Sequence, residues 1–299
     1  MGISQYIKEI GRGKDGARSL DRAQAADLFG QVLDGSVTDL EVGAFCLAMR
    51  IKGESAEEMA GFLDATHARL HLVPDNGLTT VVLPSYNGAR KLPVLTPLLA
   101  LLLAKQGAAV VIHGTATEAS RVTSASVLQA LGMNPQTQVA QVTAGQVALV
   151  PTEVLCPGLK RLLAVRRVVG LRNTAHSLVK LMNPCAGHAL VVGSYTHPEY
   201  AVSMGATLTL TGQHALLLRG TEGEPVADPR RTPQMELFQS GVSHTVQAAQ
   251  GGSLAQVPHL PGTDAAATAS YIQAVLAGEL PIPTPIALQV EHILQALQS

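Results

Sequence analysis

An α/β chain in two parts, a small helical subdomain followed by a larger one with a mainly parallel central sheet, is what the sequence predicts. Three observations lead there. Capping boxes open amphipathic segments within the first 70 residues, a strand–helix–strand pattern follows from Thr79, and the late chain alternates short apolar runs with helical segments and Pro/Gly-rich loops.

The early helices rest on local chemistry. Thr38-Asp39-Leu40-Glu41 and Ser55-Ala56-Glu57-Glu58 each set a hydroxyl three residues before a carboxylate, so the two satisfy each other's orphan N–H groups. Val42, Phe45, Cys46 and Met49, then Met59, Phe62, Leu63 and Thr66, recur at helical spacing behind them. Asp21 caps an earlier helix that ends near Leu33, before Asp34-Gly35. Next come a β-branched run at Thr79–Leu83, a helix over Thr96–Gln106 and an apolar run at Ala108–Ile112, the local signature of parallel strands joined by a crossover. Further strands are expected at Ala189–Val192, Leu208–Leu210 and Ala215–Leu218. Helices are expected at Val122–Leu131, His197–Met204 and Asp264–Ala277, the last with Gly278 at a C-cap position. Leu159–Lys180 reads as helix interrupted at Gly170, and Gly220–Pro233 and Gly251–Gly262 read as loops.

The composition, 46% hydrophobic and 14% charged, is that of a folded chain rather than a disordered one. With aromatics at 3% and no Trp, the core must rest on Leu, Val, Ala and Ile. The most apolar run, Leu95–Ala104, is broken by Pro97 and falls short of the roughly 20 residues a membrane helix needs. No basic segment followed by an apolar one opens the chain, and Cys46, Cys156 and Cys185 lack metal or disulfide spacing. A cytoplasmic protein with buried thiols is therefore expected. The ten histidines show no ligand spacing, so neither a metal nor a cofactor is expected.

The net charge of -1 conceals a charge separation. Residues 76–198 carry ten Lys/Arg against only Glu118 and Glu153, a local net of +8, and the rest of the chain carries -9. Such asymmetry points to a polyanionic partner, either nucleic acid or a phosphorylated small molecule.

Two stretches resemble a known family. Cys156–Thr174, running on to Leu181-Met182-Asn183-Pro184, is similar to the substrate-binding helices of anthranilate phosphoribosyltransferases. Those enzymes read H-P-x-(M/F/L)-K-x-(V/A)-x-x-V-R-x-x-L-G-x-R-T and then L-G-P-L-x-N-P. Val81–Ser120 matches the same family's strand, phosphate loop, helix and second strand, without a gap over the 31 residues from Pro84 to Gly114. The resemblance implies the phosphoribosyltransferase-like fold of nucleoside phosphorylase type (glycosyltransferase family 3). In that fold residues 1–72 form the helical subdomain, helices from about 157–184 complete it, and 73–156 with 185–299 form the α/β subdomain. Homodimers through the helical part are implied as well.

The departures from the family pattern fall on its ligand-binding residues. The pyrophosphate loop G-T-G-G-D-G becomes Pro84-Ser85-Tyr86-Asn87-Gly88-Ala89, in which Pro84 lacks a donor and Tyr86 adds bulk. N-x-S-T becomes Val94-Leu95-Thr96-Pro97, and K-H-G-N-R becomes Ile112-His113-Gly114-Thr115-Ala116. The metal-holding D-E pair falls on Pro225-Val226, with Glu222, Glu224 and Asp228 near but out of register. Strings spread from end to end, among them 84–91 and Gly220-Thr-Glu-Gly-Glu224, resemble a branch of the fold that has lost the transferase site. That resemblance implies a non-catalytic homodimer binding DNA and RNA with little sequence preference. The alternative is a phosphoribosyl or glycosyl transferase acting on a phosphorylated sugar.

Six residues are therefore expected to contact phosphate: Arg90, Lys91, Lys160, Arg161, Arg167 and Arg172. Ser85, Tyr86, Asn87, Gly88, Thr96, His113 and Arg166 occupy cleft positions by resemblance, and Arg166 also projects among Leu159, Leu162 and Val169. Tyr86 is expected either to stack on a base or to anchor its loop. A second basic run, Lys8, Arg12, Lys14, Arg18 and Arg22, is diluted by Glu9, Asp15 and Asp21.

Overall fold

The structure, a computed structural model, describes residues 2–13, 15–252 and 258–298. Lys14 and part of the expected Gly251–Gly262 loop lie outside the described residues.

Four helices open the chain: α1 (Ser4–Ile10), α2 (Arg22–Asp34), α3 (Asp39–Lys52) and α4 (Ala56–His67). Reciprocal capping boxes start the last three, at Asp21, Thr38 and Ser55. Phe29 and Phe62 stack at 4.7 Å between ring centroids, and Phe45 meets both edge-on at 6.2 and 6.0 Å. All three are fully buried, so three of the chain's four phenylalanines supply volume to the bundle. α2 and α4 approach so closely that a Cβ on Gly61 would lie 2.2 Å from the Arg22 carbonyl. Buried Glu58 is fully engaged, accepting from the N–H groups of Leu20 and Ser55 and from Lys52 Nζ at 2.6 Å.

The larger part is built on β1 (Thr80–Pro84), β2 (Val110–Gly114), β3 (Val147–Pro151), β4 (Ala189–Tyr195), β5 (Ala215–Arg219), β6 (Met235–Gln239) and β7 (Val242–Gln247). Their order in the sheet is β3-β2-β1-β4-β5-β6-β7. The first five are parallel, with Val82 opposite both Val111 and Val191, and β6 and β7 add as an antiparallel edge. Side chains alternate between two cores. Val82, Val111, Val191 and Leu217 face one that runs continuously into the helical bundle. Val81, Ile112, Val192 and Leu216 face one covered by helices of the α/β part. A strand buried on both faces reads as an unbroken apolar run, which is why β1, β2 and β5 were visible in the sequence.

The remaining helices are α5 (Thr96–Lys105), α6 (Ser124–Ala130), α7 (Thr152–Leu155), α8 (Pro157–Ala164), α9 (Arg166–Val169), α10 (Ala175–Leu178), α11 (Pro198–Thr211), α12 (Ala265–Leu276) and α13 (Thr284–Ala296). The helical stretch expected over Leu159–Lys180 is interrupted at Gly170, which turns left-handed (φ 75°) after α9, and it is divided once more at Val165, between α8 and α9. α8 packs on α2, where a Cβ on Gly158 would lie 2.2 Å from the Leu33 carbonyl. The strand expected at Leu208–Leu210 is instead the last turn of α11, since Pro198 starts a helix there that continues to Gly212. β3, β6, β7 and α13 had no counterpart among the expected elements.

Candidate functional site

β1 sends its connection to β2 on one side, while β4 lies on the other, so the strand order reverses between β1 and β4. A crevice opens beyond the carboxyl ends of strands at such a point. The loops after β1 and β5 meet there, with the N-termini of α5 and α6, the end of β4, and the segment between α9 and α10.

Two carboxylates of the 220–224 loop fill this meeting point. Glu224, 1% exposed, accepts from the Gly88 N–H at 2.7 Å, from the Thr96 hydroxyl at 3.3 Å, from the Ser124 hydroxyl at 3.4 Å, and from the Ser85 hydroxyl. Glu222 accepts from three successive backbone N–H groups, those of Arg90, Lys91 and Leu92, at 3.2, 2.8 and 3.0 Å. Converging amides of this kind form an anion-binding nest. Glu222 holds a left-handed backbone (φ 51°), a strain of about 1–3 kcal/mol that its amide bonds offset. The glycines of the loop are equally constrained. A Cβ on Gly220 would lie 1.9 Å from the Glu224 carbonyl, and Gly223 (φ +89°) passes close to Asn87 and Lys180. In this chain the anion places of the altered loop hold the chain's own carboxylates.

A second cluster gathers arginines. Glu118 accepts from Arg166 Nη1 at 2.7 Å and Arg172 Nη2 at 3.1 Å, and lies 3.2 Å from Arg121 Nε. Partial burial pushes the Glu118 carboxyl up, but the three guanidinium groups outweigh it and hold it down at about 2. Three cations on one carboxylate leave a local surplus of positive charge.

The sequence-derived residues separate into distinct groups. Ser85, Tyr86, Asn87, Gly88, Thr96 and His113 are all buried. Tyr86 donates its hydroxyl to the His176 carbonyl at 2.9 Å and presents no open face to a base, so it anchors the loop. Asn87 donates to the Glu222 carbonyl and accepts from Arg172. His113 sits on β2 opposite Pro84, and burial lowers its pKa to about 4. Arg166 turns to Glu118.

Of the six expected phosphate contacts, four are exposed and form no ion pair among the described residues: Arg90, Lys91, Arg161 and Arg167. Three of the six make hydrogen bonds within the chain. Arg161 donates to the Leu33 carbonyl at 2.7 Å and so ties α8 to α2. Lys160 bonds the Thr115 hydroxyl at 2.9 Å and stands 3.5 Å from Glu153. Arg172 faces the crevice, on Asn87 at 2.6 Å and on Glu118. The span that reads as +8 thus uses both of its acids internally. Sequence reasoning missed the roles of Glu118, Glu222 and Glu224, and it missed Lys180 and His176; the Gly-Thr-Glu-Gly-Glu string was the available signal.

Residues 4–69 match the helical bundle domain of the glycosyl transferase family. The anthranilate phosphoribosyltransferase of Anaeromyxobacter sp. (strain K) is 30% identical over 287 residues, 93% of this chain and 83% of the relative. The chain belongs to the anthranilate phosphoribosyltransferase family. Among its relatives, YbiB of Escherichia coli (strain K12) is 41% identical over 306 residues, covering 99% of this chain and 94% of YbiB. In fold, the anthranilate phosphoribosyltransferase of Thermus thermophilus superposes with a TM-score of 0.72 at 22% identity, over 96% of this chain and 85% of the other. The Saccharomyces cerevisiae enzyme in complex with PRPP and Mg gives 0.72 at 15%, over 99% and 88%.

The residues present do not fit a magnesium ion. Pro225 and buried Val226 stand at the metal-holding positions, and the carboxylates of Glu222 and Glu224 are engaged by N–H and O–H donors. Among the described residues, no group of three or more His, Cys, Asp or Glu is placed to hold a metal. No described helix is long and apolar enough to cross a membrane.

Proposed function

We propose that this chain is a non-catalytic member of its family that binds nucleic acid without sequence preference, through Lys/Arg contacts to phosphate. One observation carries the reading. Glu222 takes the amides of Arg90, Lys91 and Leu92 inward, while the side chains of Arg90 and Lys91 stay exposed with no carboxylate partner among the described residues. The loop thus has its internal anion places filled and keeps its cations outside, which suits a polyanion lying across the surface better than a sugar diphosphate seated within it. Arg167 and the surplus charge around Glu118 extend the basic character. With Tyr86 buried and aromatics scarce, contact is through the backbone of the nucleic acid rather than base stacking.

Titration of a single-stranded oligonucleotide at two salt concentrations tests this. Affinity that falls steeply with salt is expected, and absence of binding at low salt, or binding insensitive to salt, contradicts it.

The second reading, a transferase acting on a phosphorylated sugar, is favoured by the family itself, whose members at 30% identity include anthranilate phosphoribosyltransferases. It requires the 220–224 loop to leave the crevice. Calorimetry with phosphoribosyl diphosphate and magnesium separates the two, since saturable binding supports the transferase.

The dimer belongs to the same proposal. Leu40, Leu47 and Ile51 are 83%, 47% and 65% exposed along α3, an apolar stripe in the helical part where a second copy would pack.

A further inference from the structure

Between β1 and α5 the chain runs without regular structure, and one side chain holds the middle of that run. Ala89 exchanges backbone hydrogen bonds with Val122, at 2.9 and 3.1 Å, and α5 begins only at Thr96. In between, the N–H groups of Arg90, Lys91 and Leu92 all donate to Oε1 of Glu222, at 3.2, 2.8 and 3.0 Å. Oε2 shares the Arg90 N–H, also at 3.2 Å. Among the described residues these three bond to no other group, and Pro93 after them has no N–H to give.

Three amides converging on one oxygen curl the backbone around it, so the N–H groups point in and the side chains out. Arg90 and Lys91 are both exposed on that outer side. Glu222 itself stands on a braced turn. The Gly220 N–H donates to the Tyr195 carbonyl at 3.1 Å, the Thr221 N–H to the Val226 carbonyl at 2.9 Å, and the Ser194 hydroxyl to the Gly223 carbonyl at 2.8 Å. The carboxylate is thus presented from the ends of β4 and β5 to a loop that lacks bonds of its own. The left-handed φ of 51° would suit a glycine better, which points to a function for the side chain that is there.

Charge and position make opposite demands on this carboxylate. As a charge near two cations it weakens their attraction for a polyanion, so its removal should tighten binding. As a tether it orders the loop before contact, which lowers the entropy lost on binding, so its removal should weaken binding. We propose that Glu222 is a positioning residue for nucleic-acid contact, holding the 90–92 turn so that Arg90 and Lys91 reach phosphate together; the inference rests on the nucleic-acid reading above.

The test measures fluorescence anisotropy of a labelled single-stranded oligonucleotide with the full chain at one low salt concentration. Glu222→Gly suits the left-handed backbone and removes the tether, and affinity should fall about threefold to tenfold. Glu222→Gln keeps an oxygen at the Oε1 place without the charge, and should bind more tightly than Glu222→Gly. Glu199→Gln, which removes an exposed acid in the first turn of α11, should not weaken binding. In an Arg90→Ala, Lys91→Ala background, Glu222→Gly should cause no further loss, because the side chains it positions are gone. Unchanged or tighter binding by Glu222→Gly, or an equal loss in both backgrounds, overturns the proposal. Should Glu222→Gly fail to fold, Glu222→Asn, which also tolerates a left-handed backbone and has a shorter side chain, decides by the same criteria. No binding by the native chain removes the nucleic-acid reading and this inference with it, whereas native binding that Glu222→Gly leaves intact removes this inference alone.

Discussion

Glu224 is the residue on which the crevice turns. Its carboxylate is the shared acceptor for the Gly88 N–H and for hydroxyls from β1's loop, α5 and α6. Glu224→Ala leaves these buried donors without a partner and should destabilise by about 3 kcal/mol, read from denaturant unfolding; Glu224→Gln keeps one acceptor oxygen and should lose less. Buried histidines set a pH dependence. His113 and His176 both fall to about 4 from 6.5 in the folded chain because burial disfavours the charged ring. Between those values the unfolded chain binds more protons, so stability falls as pH drops from about 6.5 to 4, by up to about 1.4 kcal/mol per pH unit per histidine. Unfolding midpoints across that range should show the slope, and His113→Leu should flatten it. Sequence placed Glu222 and Glu224 near the metal positions but could not show what they touch. Their partners lie about a hundred residues or more away along the chain, and only the meeting of the β1 and β5 loops joins them.

Elements were legible to the degree that their chemistry is local. The boxes at Thr38 and Ser55 need only four residues, and both helices start where expected. β1, β2 and β5 are buried on both faces and announce themselves as apolar runs. β7 could not, because it is an exposed edge strand of mixed polarity whose pairing with β6 defines it. The strand expected at Leu208–Leu210 fails for a related reason: three apolar-leaning residues fit either a strand or a helix turn, and Pro198 upstream decides. Energetically the bundle depends on its aromatic trio. Phe62→Ala, which empties the space between Phe29 and Phe45, should destabilise by about 3–5 kcal/mol in chemical unfolding, against about 1 for Thr38→Ala at a helix cap.

For the whole molecule, the chain belongs to the anthranilate phosphoribosyltransferase family, and the carboxylates of Glu222 and Glu224 occupy the meeting point of its β1 and β5 loops. The proposed dimer rests on the apolar face of α3. The pair Leu47→Glu and Ile51→Glu should leave the fold intact and halve the mass seen by light scattering if that face is the interface. Charge in the sequence pointed to a polyanion, but the structure redistributes it: Arg161 braces the bundle, Arg166 and Arg172 surround Glu118, and Arg90, Lys91 and Arg167 remain outward. The most direct test of the nucleic-acid reading is the salt dependence of single-stranded DNA binding for the native chain and for the Arg90→Ala, Lys91→Ala, Arg167→Ala triple variant. Each lost phosphate contact should reduce the slope of log K against log salt by about 0.7, so the triple variant should lose about 2. An unchanged slope, or no binding by the native chain at low salt, would contradict it.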